Sequence, residues 1–157
     1  MRRVYFLLIV IALGVLQSAY LNYLGVFGVK PDLLLISMVI ASFYFDWRWS
    51  LFFSISAGLF KDIAGVHIFG TNTVLFAAWN IVIIQLSKKI ALDSFIMRTL
   101  LISLLAILNG VITRLILISS SSFISLGVFL RIILLDAIYT ASVWPLVFKA
   151  VKPLLPP

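Results

Sequence analysis

A 157-residue chain that is 64% hydrophobic, with a mean hydropathy of +1.24, has more apolar side chains than one water-soluble core of this size can hide. It is expected to be an integral membrane protein, and with no cysteine and one histidine, disulfides, thiolate metal sites and clustered zinc ligands are excluded. The formal charge of +7 does not point to nucleic acid, because the basic residues stand singly or in pairs at the ends of apolar segments, a topology signal rather than a binding patch.

Met1-Arg2-Arg3 followed by the apolar run from Val4 has the order of a signal peptide. The run continues to Leu24 with no small-x-small cleavage site before a soluble domain, so residues 4–24 read as an uncleaved first transmembrane helix. A crossing takes about 20 residues, and further candidates follow at 31–47, 49–65, 71–86, 94–118 and 126–148, the second of them short. The expected fold is a single all-α domain, a six-transmembrane-helix bundle. Pro31 suits a first helical position and Asp32 complements the second helix's N-terminus. Thr71 or Asn72, and Asp93 or Ser94, are candidate N-caps for the fourth and fifth helices. Ser119–Ser122 reads as the turn between the last two helices, and Pro153, Pro156 and Pro157 as a non-helical tail.

With six spans starting in the cytoplasm, Arg2, Arg3, Arg48, Lys88, Lys89, Arg98, Lys149 and Lys152 fall inside, and Lys30 and Lys61 outside. This asymmetry favours cytoplasmic termini. Only short connections remain, so function is expected within or at the bilayer.

All five acids are aspartates, and only Asp62 and Asp136 are surrounded by hydrophobic sequence. A carboxylate at bilayer depth costs about 2.5–3.5 kcal/mol and marks a site by default. Asp62 stands in Gly58-Leu59-Phe60-Lys61-Asp62-Ile63-Ala64-Gly65, with Gly70 beyond. A continuous third helix lifts Asp62 about 20 Å above Trp49. A helix ending at Phe60 leaves Lys61-Asp62 in a solvated turn, but 12 residues reach only about 18 Å and underspan the core. Lys61 is expected to snorkel outward, Gly65 and Gly70 to break the helix, and Ser54 with Gly58 to give it a small-residue face.

Arg131 and Asp136 are five apart, about 140° around a helix, so Asp136 is expected to pair across helices, with Arg114 the best partner by depth. That pair reads either as a structural ion pair or as a substrate or partner contact. Gln17, Asn22, Asn80, Gln85 and Asn109 read as interhelical hydrogen-bonding residues. Trp47, Trp49 and Trp144 read as interface anchors, and Trp79 as packed inside. No catalytic dyad, HExxH, metal-binding acidic motif or phosphate loop occurs, nor a filter loop, so neither an enzyme nor a channel is expected, and no cofactor.

Gln17-Ser18, then Gly28-Val29-Lys30-Pro31-Asp32-Leu33-Leu34-Leu35, then Gly58-x-x-x-Asp62 and Gly70, in this order and spacing, resemble the bacterial rod shape-determining MreD family. The likeness extends over nearly the whole chain, with its specific part between Gln17 and Lys89. It implies a non-enzymatic scaffold of the wall-elongation machinery in the bacterial inner membrane. The implied partners are the single-span protein MreC and, through it, the glycosyltransferase RodA, a class B penicillin-binding transpeptidase and MreB filaments. The competing class is small-molecule transport, because that family is similar to the six-helix substrate-binding subunits of energy-coupling-factor vitamin transporters. In that reading Asp62, Lys61, His67 and Asn72 line a cavity.

Overall fold

The computed structural model describes residues 2–19, 29–65, 68–89, 94–119 and 126–155. They form six helices: α1 (Arg2–Ala19), α2 (Leu33–Tyr44), α3 (Trp47–Ala64), α4 (Thr71–Lys89), α5 (Phe95–Ser119) and α6 (Leu126–Val151). A 3-10 turn, Lys152–Leu154, follows, and no β-strand is formed among the described residues. The fold is all-α, as expected. Two segments, Phe95–Ile116 in α5 and Gly127–Val151 in α6, are long and apolar enough to cross a membrane.

The short second helix is the centre of the molecule. Every residue from Leu33 to Ser42 is buried, and α2 touches all five other helices. A helix apolar all round has no solvent face to offer and is stable only when surrounded. At 12 residues it spans about 18 Å, shorter than the expected 31–47. It begins later because Asp32 is the N-cap and accepts the Leu35 N–H at 3.0 Å. Pro31, expected at the first helical position, therefore lies one residue before the cap. The helix ends at Tyr44 because Phe45 is extended.

Helices α3 and α4 form one antiparallel hairpin and α5 and α6 another, with α1 laid against α2 and α3. Phe6 is buried between Phe45 and Phe53, with ring centroids 4.8 and 4.9 Å away. Trp47 and Trp49 are exposed, as interface anchors would be, but Trp144 is only 1% exposed and packs on Phe148 at 4.9 Å. Trp144 is thus a member of the buried core rather than an interface anchor. Gln85 is exposed and joins no helices. Asn22, His67, Asp93 and Ser120–Ser122 lie outside the described residues, as does the end of the first expected span.

The polar anchors of the bundle separate into two ends. Arg3 pairs with Asp46 at 3.4 Å and stacks over Trp49, and Arg98 donates to the Tyr44 hydroxyl at 2.8 Å. The α1 and α3 N-termini, the α2 C-terminus and the α5 N-terminus therefore share one end. The opposite ends of α1, α2, α3 and α4 converge on a second polar cluster.

A candidate functional site where four helices meet

Glycine at position 58 sets the distance between α3 and α4. A Cβ there would lie 2.6 Å from the Thr73 Cα and 2.7 Å from the Asn72 carbonyl oxygen, both backbone atoms. Only a residue without a side chain permits this approach. Ser54, one turn earlier, is fully buried on the same small-residue face.

One turn later Asp62 meets the start of α4. Its Oδ2 accepts the Gly70 N–H at 3.1 Å, the Thr73 N–H at 2.9 Å and the Thr73 hydroxyl at 2.6 Å. Its Oδ1 accepts the backbone and side-chain N–H groups of Asn72, each at 2.9 Å. A helix start leaves its first N–H groups without intrahelical partners, and α4 is preceded by Gly70, which has no side chain and a φ of +94°. Asp62 supplies the missing cap from the neighbouring helix. Neither Thr71 nor Asn72 is the N-cap, contrary to expectation, because that acceptor role is already filled. Helix α3 continues to Ala64 and Asp62 is 3% exposed, so the solvated-turn reading does not hold. Ser94 does cap α5, accepting the Met97 N–H at 3.2 Å.

Lys61 turns inward, between the start of α2 and the Phe76 face of α4. Its ammonium pairs with Asp32 Oδ2 and sits 5.1 Å from the Phe76 ring. It does not snorkel outward, because a buried carboxylate lies within its reach. The other Asp32 oxygen accepts the Leu35 N–H and, at 3.4 Å, the Gln17 amide, while Gln17 Oε1 accepts the Leu34 N–H at 3.0 Å. The Asp32 N–H donates to Thr140 Oγ1 at 3.0 Å. The start of α2 is thus held by α1 through Gln17, by α3 through Lys61 and by α6 through Thr140.

Thr140 links this cluster to a third pair of charges, with its hydroxyl 3.5 Å from Asp136 Oδ1. Arg114 and Asp136 face each other over Gly110, where a Cβ would lie 3.2 Å from Arg114 Nη1 and 3.8 Å from Asp136 Oδ2. They are brought together as expected, but Arg114 Nη1 is buried with no hydrogen-bond partner, so a direct ion pair is not closed. The Asp136 side chain is shared with Thr140 on its own helix. Asn109 beside them is buried, and its side-chain oxygen also has no partner. Arg131 is exposed at the far end of α6. Lower in the bundle, Asn80 donates to Ser42 at 2.7 Å and also to Ser50, joining α4 to α2 and α3 as its residue type suggested.

Thr140, Thr73 and Gly110 were not singled out in the sequence. For Thr140 the available signal was Asp136-x-x-x-Thr140, two polar residues one turn apart in an apolar helix. A recess of about 170 Å³ lies beside the cluster, lined by Gln17, Ser18, Lys30, Leu34, Lys61 and Gly65 among others. A larger apolar groove of about 440 Å³ runs between α1 and α6, past Leu13, Leu33, Tyr139 and Val143. Asp62 and Asn72 line neither, since they face each other, and His67 lies outside the described residues. Among the described residues no three His, Asp or Glu side chains come close enough to hold a metal ion. Chemically, the cluster fixes helix starts: its two best-placed carboxylates each accept several donors. Comparison with protein-family models, with curated proteins and with solved structures gave no match.

Proposed function

We propose that the chain is a non-enzymatic scaffold of the bacterial wall-elongation machinery, of the MreD type, embedded in the inner membrane by six helices with both termini cytoplasmic. The observation that carries this reading is the joint between α3 and α4. Gly58, Asp62 and Gly70, three of the residues on which the family resemblance rests, all serve to pack and cap that joint. A motif whose members are consumed in holding helices together suits a protein whose product is a shape. In this reading α2, enclosed by the other five helices, need not match the lipid thickness, since irregular and short elements are tolerated where protein covers them.

The proposed partners are an MreC-like single-span protein and, through it, RodA and its transpeptidase, with MreB filaments linked beneath the membrane. Depletion in the native bacterium, followed by microscopy, tests the role, and detergent pull-down of the tagged chain tests the partner. Rounded cells and recovery of an MreC-like protein are expected. Normal rods with a vitamin-dependent growth defect would favour the second reading, a substrate-binding subunit of a vitamin transporter. The polar recess beside Lys61 speaks for that alternative, but its 170 Å³ falls below the roughly 300–1,000 Å³ of ordinary ligand pockets.

A further inference from the structure

We propose that the groove between α1 and α6 seats one acyl chain of an anionic phospholipid from the cytoplasmic leaflet, with the lipid phosphate held at its mouth by Lys149 and Lys152. Around the central helix, α1 packs on α3, α3 on α4, α4 on α5 and α5 on α6, but α6 and α1 do not close on each other in the same way. Between them lies the apolar groove of about 440 Å³, lined also by Leu33 of α2. Its lining side chains are apolar apart from the Tyr139 hydroxyl.

Section, depth and charge select the occupant. The α6 wall runs from Tyr139 to Val151, about 18 Å at 1.5 Å per residue. Spread over that length, 440 Å³ makes a channel about 24 Å² in section, whereas a helix about 10 Å across needs roughly 80 Å². A transmembrane helix is too thick to fill it, and an extended hydrocarbon chain is not. The wall occupies the C-terminal half of α6, which is the cytoplasmic half in the proposed orientation. Its length compares with about 15 Å for one leaflet of a 30 Å hydrocarbon core, so a chain from the inner leaflet reaches from the mouth to Tyr139. The mouth itself is cationic. Lys149 and Lys152 flank Ala150 and Val151, the last lining residues, and both lysines are exposed. The 3-10 turn that begins at Lys152 packs on α6 and on α1, and so bridges the two walls at that end. Neither lysine has an ion-pair partner among the described residues, and the acid described at this end, Asp46, is paired with Arg3. An apolar slot with unpaired cations at its mouth matches a lipid tail and its phosphate, and a lipid without net negative charge matches the slot alone. The assignment to the cytoplasmic leaflet rests on the inner-membrane embedding of the proposed function, while the site requires neither the scaffold role nor transport.

The test uses the full chain purified in neutral detergent, titrated with phosphatidylglycerol and with phosphatidylcholine of the same acyl chains, with occupancy read by native mass spectrometry. Phosphatidylglycerol is expected to bind about fivefold or more tighter, since each lysine near a membrane surface is worth about a factor of five toward anionic lipid. Lys152→Gln should weaken phosphatidylglycerol about fivefold, and Lys149→Gln combined with it should abolish the preference while leaving phosphatidylcholine unchanged. Ala150→Trp, at an exposed position on the groove wall, should weaken both lipids about tenfold or more. Ile96→Trp on α5, at a position 70% exposed and outside the groove, should weaken neither. Equal binding of the two lipids by the parent chain overturns the proposal, as does an Ala150→Trp variant that binds like the parent. If Ala150→Trp does not fold, Leu146→Trp decides, because Leu146 is 69% exposed on the same wall. A photo-crosslinker at position 150 in native membranes should label lipid, and a transmembrane protein as its main product overturns the proposal by making the groove a protein interface. Cell shape on depletion is read separately. Rounded cells without lipid selectivity strike this site alone, and normal rods with selective binding strike the proposed function alone.

Discussion

Two glycines in similar helical settings are expected to respond to the same substitution with opposite signs. At Gly58 an added methyl meets the α4 backbone at 2.6–2.9 Å. Backbone cannot yield as a side chain can, so Gly58→Ala should cost about 1–3 kcal/mol through overpacking. At Gly110 the nearest atom is the far end of the flexible Arg114 side chain, at 3.2 Å. There Gly110→Ala should be neutral or gain up to about 1 kcal/mol from helix propensity. Chemical denaturation of the detergent-purified variants followed by circular dichroism measures both, and equal effects would mean that the α3–α4 approach is not what constrains position 58. Asp62 belongs to the same joint. Asp62→Ala strips five donors of their acceptor, two of them at the start of a helix, and should cost about 3 kcal/mol or more. Asp62→Asn keeps one acceptor oxygen and should cost about 1–2 kcal/mol. Unaltered denaturation midpoints for both variants would refute the capping role. That Asp62 mattered was legible from its isolation among apolar residues. That it caps the next helix was not, because its donors stand eight to eleven positions further along the chain, beyond the end of its own helix.

At the scale of elements, the start of α2 is where sequence reading stopped short. Pro31-Asp32 announced a helix start, and the helix does start there, but Asp32 is its cap and Pro31 lies outside it. Its apolar run reads as a short membrane span, and the enclosure of Leu33–Ser42 by the other helices was not legible from it. What could not be read is that three other helices hold that start, since Gln17, Lys61 and Thr140 are 15, 29 and 108 residues away. Lys61 illustrates the competition involved: snorkelling and pairing both satisfy an ammonium, and tertiary placement of Asp32 selects pairing. Thr140 gives the sharpest test of the arrangement. Thr140→Val keeps shape but leaves the Asp32 N–H without its acceptor, and should cost about 1–3 kcal/mol, the penalty of a buried unsatisfied donor. Thr140→Ser keeps the hydroxyl and should restore most of that loss. A valine variant as stable as the parent would show that α6 does not anchor α2 through this bond.

For the whole molecule, the distribution of charge between the two ends predicts its orientation. One end collects Arg3, Arg48 and Arg98, tied to Asp46, Trp47, Trp49 and Tyr44, and the C-terminal ends of α4 and α6 bring Lys88, Lys89 and Lys149. The other end holds Lys30, Lys61 and, in the first turns of α6, Arg131, against Asp32 and Asp62, a smaller positive excess. Positive charge on short connections is retained in the cytoplasm, so for a chain that crosses the inner membrane as proposed, the first end is expected inside. The lack of native cysteine makes this directly measurable by introducing one cysteine at a time. Lys30→Cys and Phe69→Cys, both at exposed positions, should react with a membrane-impermeant maleimide in intact spheroplasts. Lys89→Cys and Lys152→Cys, also exposed, should react only after the membrane is opened. The reverse pattern would invert the orientation, and full reaction of all four in intact spheroplasts would show that no membrane separates the two ends.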